Sequence, residues 1–113
     1  VNVASIQSFV AATTATSYAI SKGAVSQMTK TLAAELAKYE IRVNAIAPGV
    51  IETPMTEFTR SNQSILDGYL RHVPMSRTGQ PQELVGPVAF LCSDAATYVT
   101  GCILPVDGGY LTV

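Results

Sequence analysis

Charge is scarce in this sequence. Lys, Arg, Asp and Glu make up 13% of its 113 residues, against roughly 25% in an ordinary soluble domain. The charges that are present nearly cancel, to a formal net of −1, and no run carries one sign. Such a chain offers no electrostatic footprint for nucleic acid and no basic face for a membrane. No apolar stretch reaches the ~18 residues of a membrane span, and nothing reads as a signal segment. Metal-ligating residues are few as well. His72 stands alone, and Cys92 and Cys102 are isolated and lack ligand spacing, so no metal site is expected. Two such thiols suit buried positions in a reducing, cytoplasmic setting.

What the chain has in quantity is apolar residues, 48% of the total. At this length it forms one domain at most. Much of its surface should therefore be buried, in a core or against another chain. The opening "VNVAS" begins inside what reads as a buried strand. We expect residues 1–113 to be the C-terminal part of a longer domain.

Periodicity organises the chain into alternating elements. Residues 1–5 read as a short strand and 6–13 as a loop. From about Thr14 to Lys38, apolar residues recur at intervals of three and four (Ala19, Val25, Met28, Leu32, Ala33, Leu36), which predicts a helix with Thr13 or Thr14 as its N-cap. Apolar or small residues on its other faces (Ile20, Gly23, Ala37) predict burial on more than one side. "IRVNAIA", 41–47, predicts a strand covered on both faces. Pro48-Gly49 marks a loop. One or two helices are expected over 55–71, a turn at 78–81, and a helix over 81–94 that Pro87 should kink. Residues 101–110 predict a last strand and a glycine-rich turn. Tyr98 and Tyr110 read as packing residues. Strand, helix, strand, helices, strand is the order of βαβ units. It predicts an α/β fold with a parallel sheet of three strands and covering helices. Ligands in such sheets bind at the carboxyl ends of strands, here Ser5, the 48–55 loop and the stretch after Val106.

One spacing among these carries chemistry. Tyr18 precedes Lys22 by four residues, which on a helix puts both on one face about one turn, or ~6 Å, apart. A phenol alone titrates at about pH 10 and is a poor base at neutrality, but a neighbouring ammonium favours its phenolate form. Such a pair can pass a proton to or from an alcohol or carbonyl oxygen. Ser5, ending the first strand, could return beside it and hydrogen-bond that oxygen as charge develops. Taken singly, a Tyr-Lys pair, a strand-end serine, a Pro-Gly turn and Asp107-Gly108-Gly109 are all ordinary.

Their combination in order is not. "NVAS", "YAISK", "IRVNAIAPGVIETPM", the run from Pro74 to Leu84, "FLCSD" and "VDGG" together resemble the C-terminal half of a short-chain dehydrogenase/reductase, across essentially the whole chain. The resemblance implies part of a doubly wound, Rossmann-like domain that binds NAD or NADP. It implies Tyr18 as proton donor or acceptor, Lys22 as the residue that favours its phenolate and holds the cofactor ribose, and Ser5 as the residue that orients the substrate oxygen. It further implies that Pro48, Gly49, Val50, Ile51 and Thr53 cap the nicotinamide, and that residues of about 54–75 form a variable substrate lid. The family's glycine-rich phosphate loop, its catalytic asparagine and the residue that separates NAD from NADP belong upstream of this chain. The polar lid favours a sugar or polyol over the acyl-carrier thioester of a 3-oxoacyl reductase. Dimers or tetramers are implied, through the long helix and through the last helix and strand. A reading of another class is an inactive fragment serving assembly or binding; a cofactor sensor without turnover is a third. Finally, Glu40 stands where relatives carry Gly or Asn, which predicts a left-handed backbone there.

Overall fold

The apolar segments Val-Asn-Val, Ala-Ile-Ala-Pro and Ile-Leu-Pro-Val pair side by side in a computed structural model that describes residues 1–13 and 15–113. Strands β1 (Asn2–Val3), β2 (Ala45–Pro48) and β3 (Ile103–Val106) form one sheet in the order β1-β2-β3. Both pairings are parallel, with Asn2 opposite Ala45 and Ala45 opposite Ile103. Helix α1 (Thr16–Leu36) is the crossover from β1 to β2, and the longer connection to β3 holds α2 (Glu57–Ser61), α3 (Gln63–Leu70) and α4 (Val85–Cys92). This is the α/β architecture that the alternation predicts.

The core is built from small residues where α1 meets the sheet. Ala4, Ala45 and Ala47 are fully buried, with Val25 and Ile103 packed against them. Small side chains let the helix approach the strands closely. The buried positions of α1 are Ser26, Thr29 and Ala33, a narrower and more polar stripe than the predicted one. Thr29 can be buried because it is satisfied: its hydroxyl donates to the Val25 carbonyl at 2.8 Å and accepts from the Asn2 amide at 3.0 Å. Met28, by contrast, is exposed. On the sheet's other side Ile46 is buried, as is Leu91 of α4. Each such side chain contributes roughly 1.5–3 kcal/mol.

Several boundaries differ from expectation for local reasons. The helix begins at Thr16 with Ala15 at its cap position, later than a cap at Thr13 allows; Thr14 lies outside the described residues. The second strand starts at Ala45 and not Ile41, because residues 43 and 44 are tied to the turn before β3. Val43 donates its N–H to the Thr100 hydroxyl. The buried Asn44 amide donates to the Val99 carbonyl at 2.8 Å, and its oxygen accepts from the Cys102 N–H at 3.0 Å. Pro87 does not kink a helix. Residues Pro81–Leu84 form a 3-10 turn and α4 proper starts at Val85, so Pro87 falls in a first turn, where no intrahelical donor is needed. Cys92 is exposed and Cys102 half-buried, against the expectation of two buried thiols. Tyr98 projects fully into solvent, whereas Tyr110 does pack, as described below. Among the described residues no helix is long and apolar enough to cross a membrane.

Glu40 has the predicted left-handed backbone, at φ 61° and ψ 22°, closing the 3-10 turn Ala37–Tyr39 that follows α1. A side chain there costs about 1 kcal/mol relative to glycine. We expect Glu40→Gly to raise the urea midpoint by the equivalent of ~1 kcal/mol without altering the slope of the transition. A lower midpoint would mean that the glutamate side chain itself stabilises the turn.

Candidate active site

The chain leaves β1 in extended geometry at Ser5 (φ −163°, ψ 160°) and turns at once into the 3-10 segment Ile6–Ser8. Ser5 is buried, and its Oγ accepts the Gln7 N–H at 3.2 Å. That bond uses an oxygen lone pair and leaves the hydroxyl proton available to donate. The following turn is fastened to the helix, because the Ser8 hydroxyl donates to the Lys22 carbonyl at 2.8 Å.

Lys22 is held from its other end as well. Its Nζ donates to the Val3 carbonyl at 2.9 Å, so the ammonium sits at the carboxyl end of β1. It lies 5.6 Å from the centroid of the Tyr18 ring, one helical turn earlier on the same face, within cation–π range. Tyr18 is 37% exposed, and among the described residues its hydroxyl has no partner. The three residues singled out from sequence are thus gathered at one strand end: Lys22 reaches β1 two residues before Ser5, and Tyr18 stands over Lys22.

Loop 48–53 leaves the neighbouring strand, β2, at the same end of the sheet. Pro48 is the last residue of β2, opposite Val106, and Gly49 donates its N–H to the Val106 carbonyl at 3.0 Å. The loop then runs against Gly79: the Gly79 N–H donates to the Val50 carbonyl at 3.0 Å and the Glu52 N–H to the Gly79 carbonyl at 2.9 Å. Thr56 closes it, its hydroxyl donating to the Ile51 carbonyl and accepting the Thr53 N–H at 3.3 Å. Arg60 reaches back to the Thr53 carbonyl at 3.2 Å. Ile51 itself is buried.

Two contacts around this loop were not foreseen from the sequence, although Arg77 and Glu83 belong to the Pro74–Leu84 run that carries the resemblance. Tyr69, on α3, accepts the Val50 N–H on its phenol oxygen at 2.9 Å, and its ring stacks on Tyr110 with centroids 5.2 Å apart. Burial raises the Tyr69 phenol above its ordinary range, opposed by the Val50 hydrogen bond and assisted by Asp107. Arg77 grips Glu83 with both ends of its guanidinium, at 2.6 and 2.8 Å. That grip, with the Gln80 N–H, pulls the Glu83 carboxyl down to about 2. Glu52 is lowered chiefly by the Thr78 hydroxyl, which donates to it at 2.7 Å. A Tyr at position 69 has no local spacing to signal its partner nineteen residues away, which is why periodicity could not find it.

A cleft of about 320 Å³ opens beside the loop, lined by Gly49, Val50, Ile51, Tyr69, Asp107 and Gly108 among others. The cleft thus takes in Gly49, Val50 and Ile51 of the predicted loop, while Ser5, Tyr18 and Lys22 lie outside it. Among the described residues no group of acidic, His and Cys side chains could hold a metal ion.

Residues 1–111 match the family model described as Enoyl-(Acyl carrier protein) reductase. Galactitol 2-dehydrogenase (L-tagatose-forming) of Cereibacter sphaeroides is 51% identical over 96 residues, 85% of this chain and 38% of that protein. The 3-oxoacyl-(acyl-carrier-protein) reductase FabG of Thermotoga maritima is 46% identical over 109 residues, 96% of this chain and 44% of that protein. A crystal structure of a gluconate 5-dehydrogenase from Burkholderia cenocepacia, in complex with NADP and tartrate, matches with a TM-score of 0.96 at 38% identity, over 99% of this chain and 44% of that one. The chain spans less than half the length of each of these proteins.

Two outcomes follow from the loop geometry. A methyl group on Gly49 would lie 2.6 Å from the Tyr69 phenol oxygen and 3.1 Å from the Asp107 Cα, so Gly49→Ala should cost ~1–3 kcal/mol in chemical denaturation; no loss would show that the Tyr69 contact is slack. Glu83 has its carboxyl depressed from 4.5 to about 2, so the pair's contribution is present in full above the unfolded value and disappears as pH falls through the folded one. Both partners are solvent-exposed, which makes the effect small. The stability gap between the wild type and Glu83→Gln should be constant above about pH 5 and close toward pH 2. A gap that widens on acidification would contradict this.

Proposed function

The chain belongs to the short-chain dehydrogenase/reductase family, and from that premise we propose that it supplies the proton-transfer machinery of an NAD- or NADP-dependent oxidoreductase. The enzyme interconverts a secondary alcohol and a ketone, with a sugar or polyol as substrate. One observation carries the reading most: the Lys22 ammonium is held by the Val3 carbonyl at the strand end that Ser5 occupies, with the Tyr18 ring beside it.

The cofactor fit rests on donors. An ammonium has three, and Val3 takes one; two remain, which suits a pair of ribose hydroxyls. The Pro48–Thr53 backbone, fastened on both sides, offers a rigid edge for a carboxamide. When bound, the nicotinamide would accept or supply the hydride. In reduction the Tyr18 hydroxyl gives its proton to the substrate oxygen, and in oxidation it takes that proton back. The Lys22 charge stabilises the phenolate left after transfer. The Ser5 hydroxyl, its oxygen already fixed by the Gln7 N–H, donates to the same substrate oxygen and steadies the charge developing there. The adenosine half of the nucleotide would rest on an N-terminal half of the same domain. The apolar residues exposed on α1 and α4, Ile20, Met28, Val85 and Phe90, support a homo-oligomer, a dimer or tetramer.

The similarity to an acyl-carrier-protein reductase supports a second substrate class, a 3-oxoacyl thioester. The lid argues for the first. Arg60 is turned inward onto Thr53 and Thr56, and Arg77 is engaged by Glu83. Arg71 alone is left as an exposed, unpaired cation there among the described residues, too little charge to dock an acidic carrier protein.

In the complete protein, Tyr18→Phe should lower kcat by about 10²–10⁴-fold while leaving cofactor affinity within about threefold. Full turnover by that variant would end the proposal. Turnover of polyols above that of acyl thioesters is the expected substrate preference; the reverse would select the second class.

A further inference from the structure

We infer that Tyr69 is a positioning residue that couples the substrate lid to the nicotinamide-capping loop; this rests on the function proposed above. The Val50 N–H donates to the Tyr69 phenol oxygen at 2.9 Å. Val50 lies in the loop that would face the nicotinamide, while Tyr69 lies on α3, in the segment that would cover the substrate. Thr56 and Arg60 also bond across, to Ile51 and Thr53, but Tyr69 alone among the described side chains takes the Val50 N–H.

The ring is clamped by stacking on Tyr110 at 5.2 Å and 15°, so the hydroxyl is aimed by a rigid body. Tyr110 in turn follows the glycine turn after β3, where the Asp107 carboxylate accepts the Gly109 and Leu111 N–H groups at 2.9 and 3.0 Å. Gly49 completes the fit, since a Cβ there would come 2.6 Å from the phenol oxygen. The glycine of the Pro-Gly pair thus makes room for Tyr69 as well as forming the turn. The phenol is also the sole acceptor recorded for Val50 N–H among the described residues. Without it a partly buried donor is left unpaired, and the loop's cofactor-facing edge loses its brace. An edge that is ordered before binding gives higher affinity than one the ligand must order. Tyr69 therefore sets the position of the capping loop without touching the reacting atoms.

The variant Tyr69→Phe removes the hydroxyl and keeps the stacked ring, so the fold should hold, as a thermal midpoint close to wild type would show. The probes are NADH or NADPH, whichever the complete wild-type protein binds, and ADP-ribose or its 2′-phosphate, which lack the nicotinamide. We expect reduced-cofactor affinity to fall by about 5- to 30-fold, with the probe lacking nicotinamide bound as tightly as by wild type. Equal cofactor affinity in the two proteins would overturn the inference. So would an equal loss for both probes, which would mark a general structural role. A wild-type protein that binds neither reduced cofactor would instead overturn the function on which the inference stands, and the inference with it.

Discussion

The bond from the Lys22 ammonium to the Val3 carbonyl joins the first strand to the crossover helix at the strand end where Ser5 opens the next turn. A lysine four residues beyond a tyrosine can point anywhere its four-carbon stem allows. Here the carbonyl at the strand end holds it, and the Ser8 hydroxyl fastens the backbone of the same residue to the turn after β1. Both ends of Lys22 thus tie the helix to the strand and to the turn that follows it. Deeper in the interface, the Asn2 and Thr29 side chains repeat the tie, and the alanine cluster lets the two elements come close. The placement of Tyr18 and Ser5 follows from those constraints.

The loop after β2 obeys a similar logic with backbone groups. Gly49 is bonded to β3, Val50 and Glu52 to Gly79, and Thr53 to Thr56. A loop with its polar groups committed in this way is stiff, although it carries no regular secondary structure of its own beyond the bridge to Gly79. Helices α3 and α2 add Tyr69 and Arg60 to the same segment. One strand end thus gathers Ser5, Tyr18 and Lys22, and the adjacent one a loop fastened on both sides, at the carboxyl ends of parallel strands where ligands of such sheets bind.

What could be read from the sequence was whatever depends on local rules. A four-residue separation on a helix fixes a shared face, so the Tyr18–Lys22 pair was legible. Glu40 was legible in another way, through the resemblance, because relatives carry Gly or Asn at its position and such a helix end favours a left-handed backbone. The parallel α/β order followed from alternation. What stayed hidden depends on partners distant in sequence. The start of β2 is set by Asn44 reaching residues 99 and 102, and Tyr69 matters through Val50. The buried stripe of α1 is polar at Thr29 because the Asn2 amide and the Val25 carbonyl satisfy its hydroxyl, and hydrophobic periodicity cannot see a satisfied hydroxyl. Pro87 misled because the α-helix starts later than its sequence pattern does.

The central claim is that Ser5, Tyr18 and Lys22 form one site that meets a nicotinamide cofactor at the end of β1. The most direct test is a crystal structure of the complete protein with its nicotinamide cofactor. The account predicts that Lys22 keeps its bond to the Val3 carbonyl and gives its remaining donors to the ribose, with the Tyr18 and Ser5 hydroxyls converging on one point beside the nicotinamide. A cofactor bound elsewhere, or the two hydroxyls opening onto separate spaces, would contradict it.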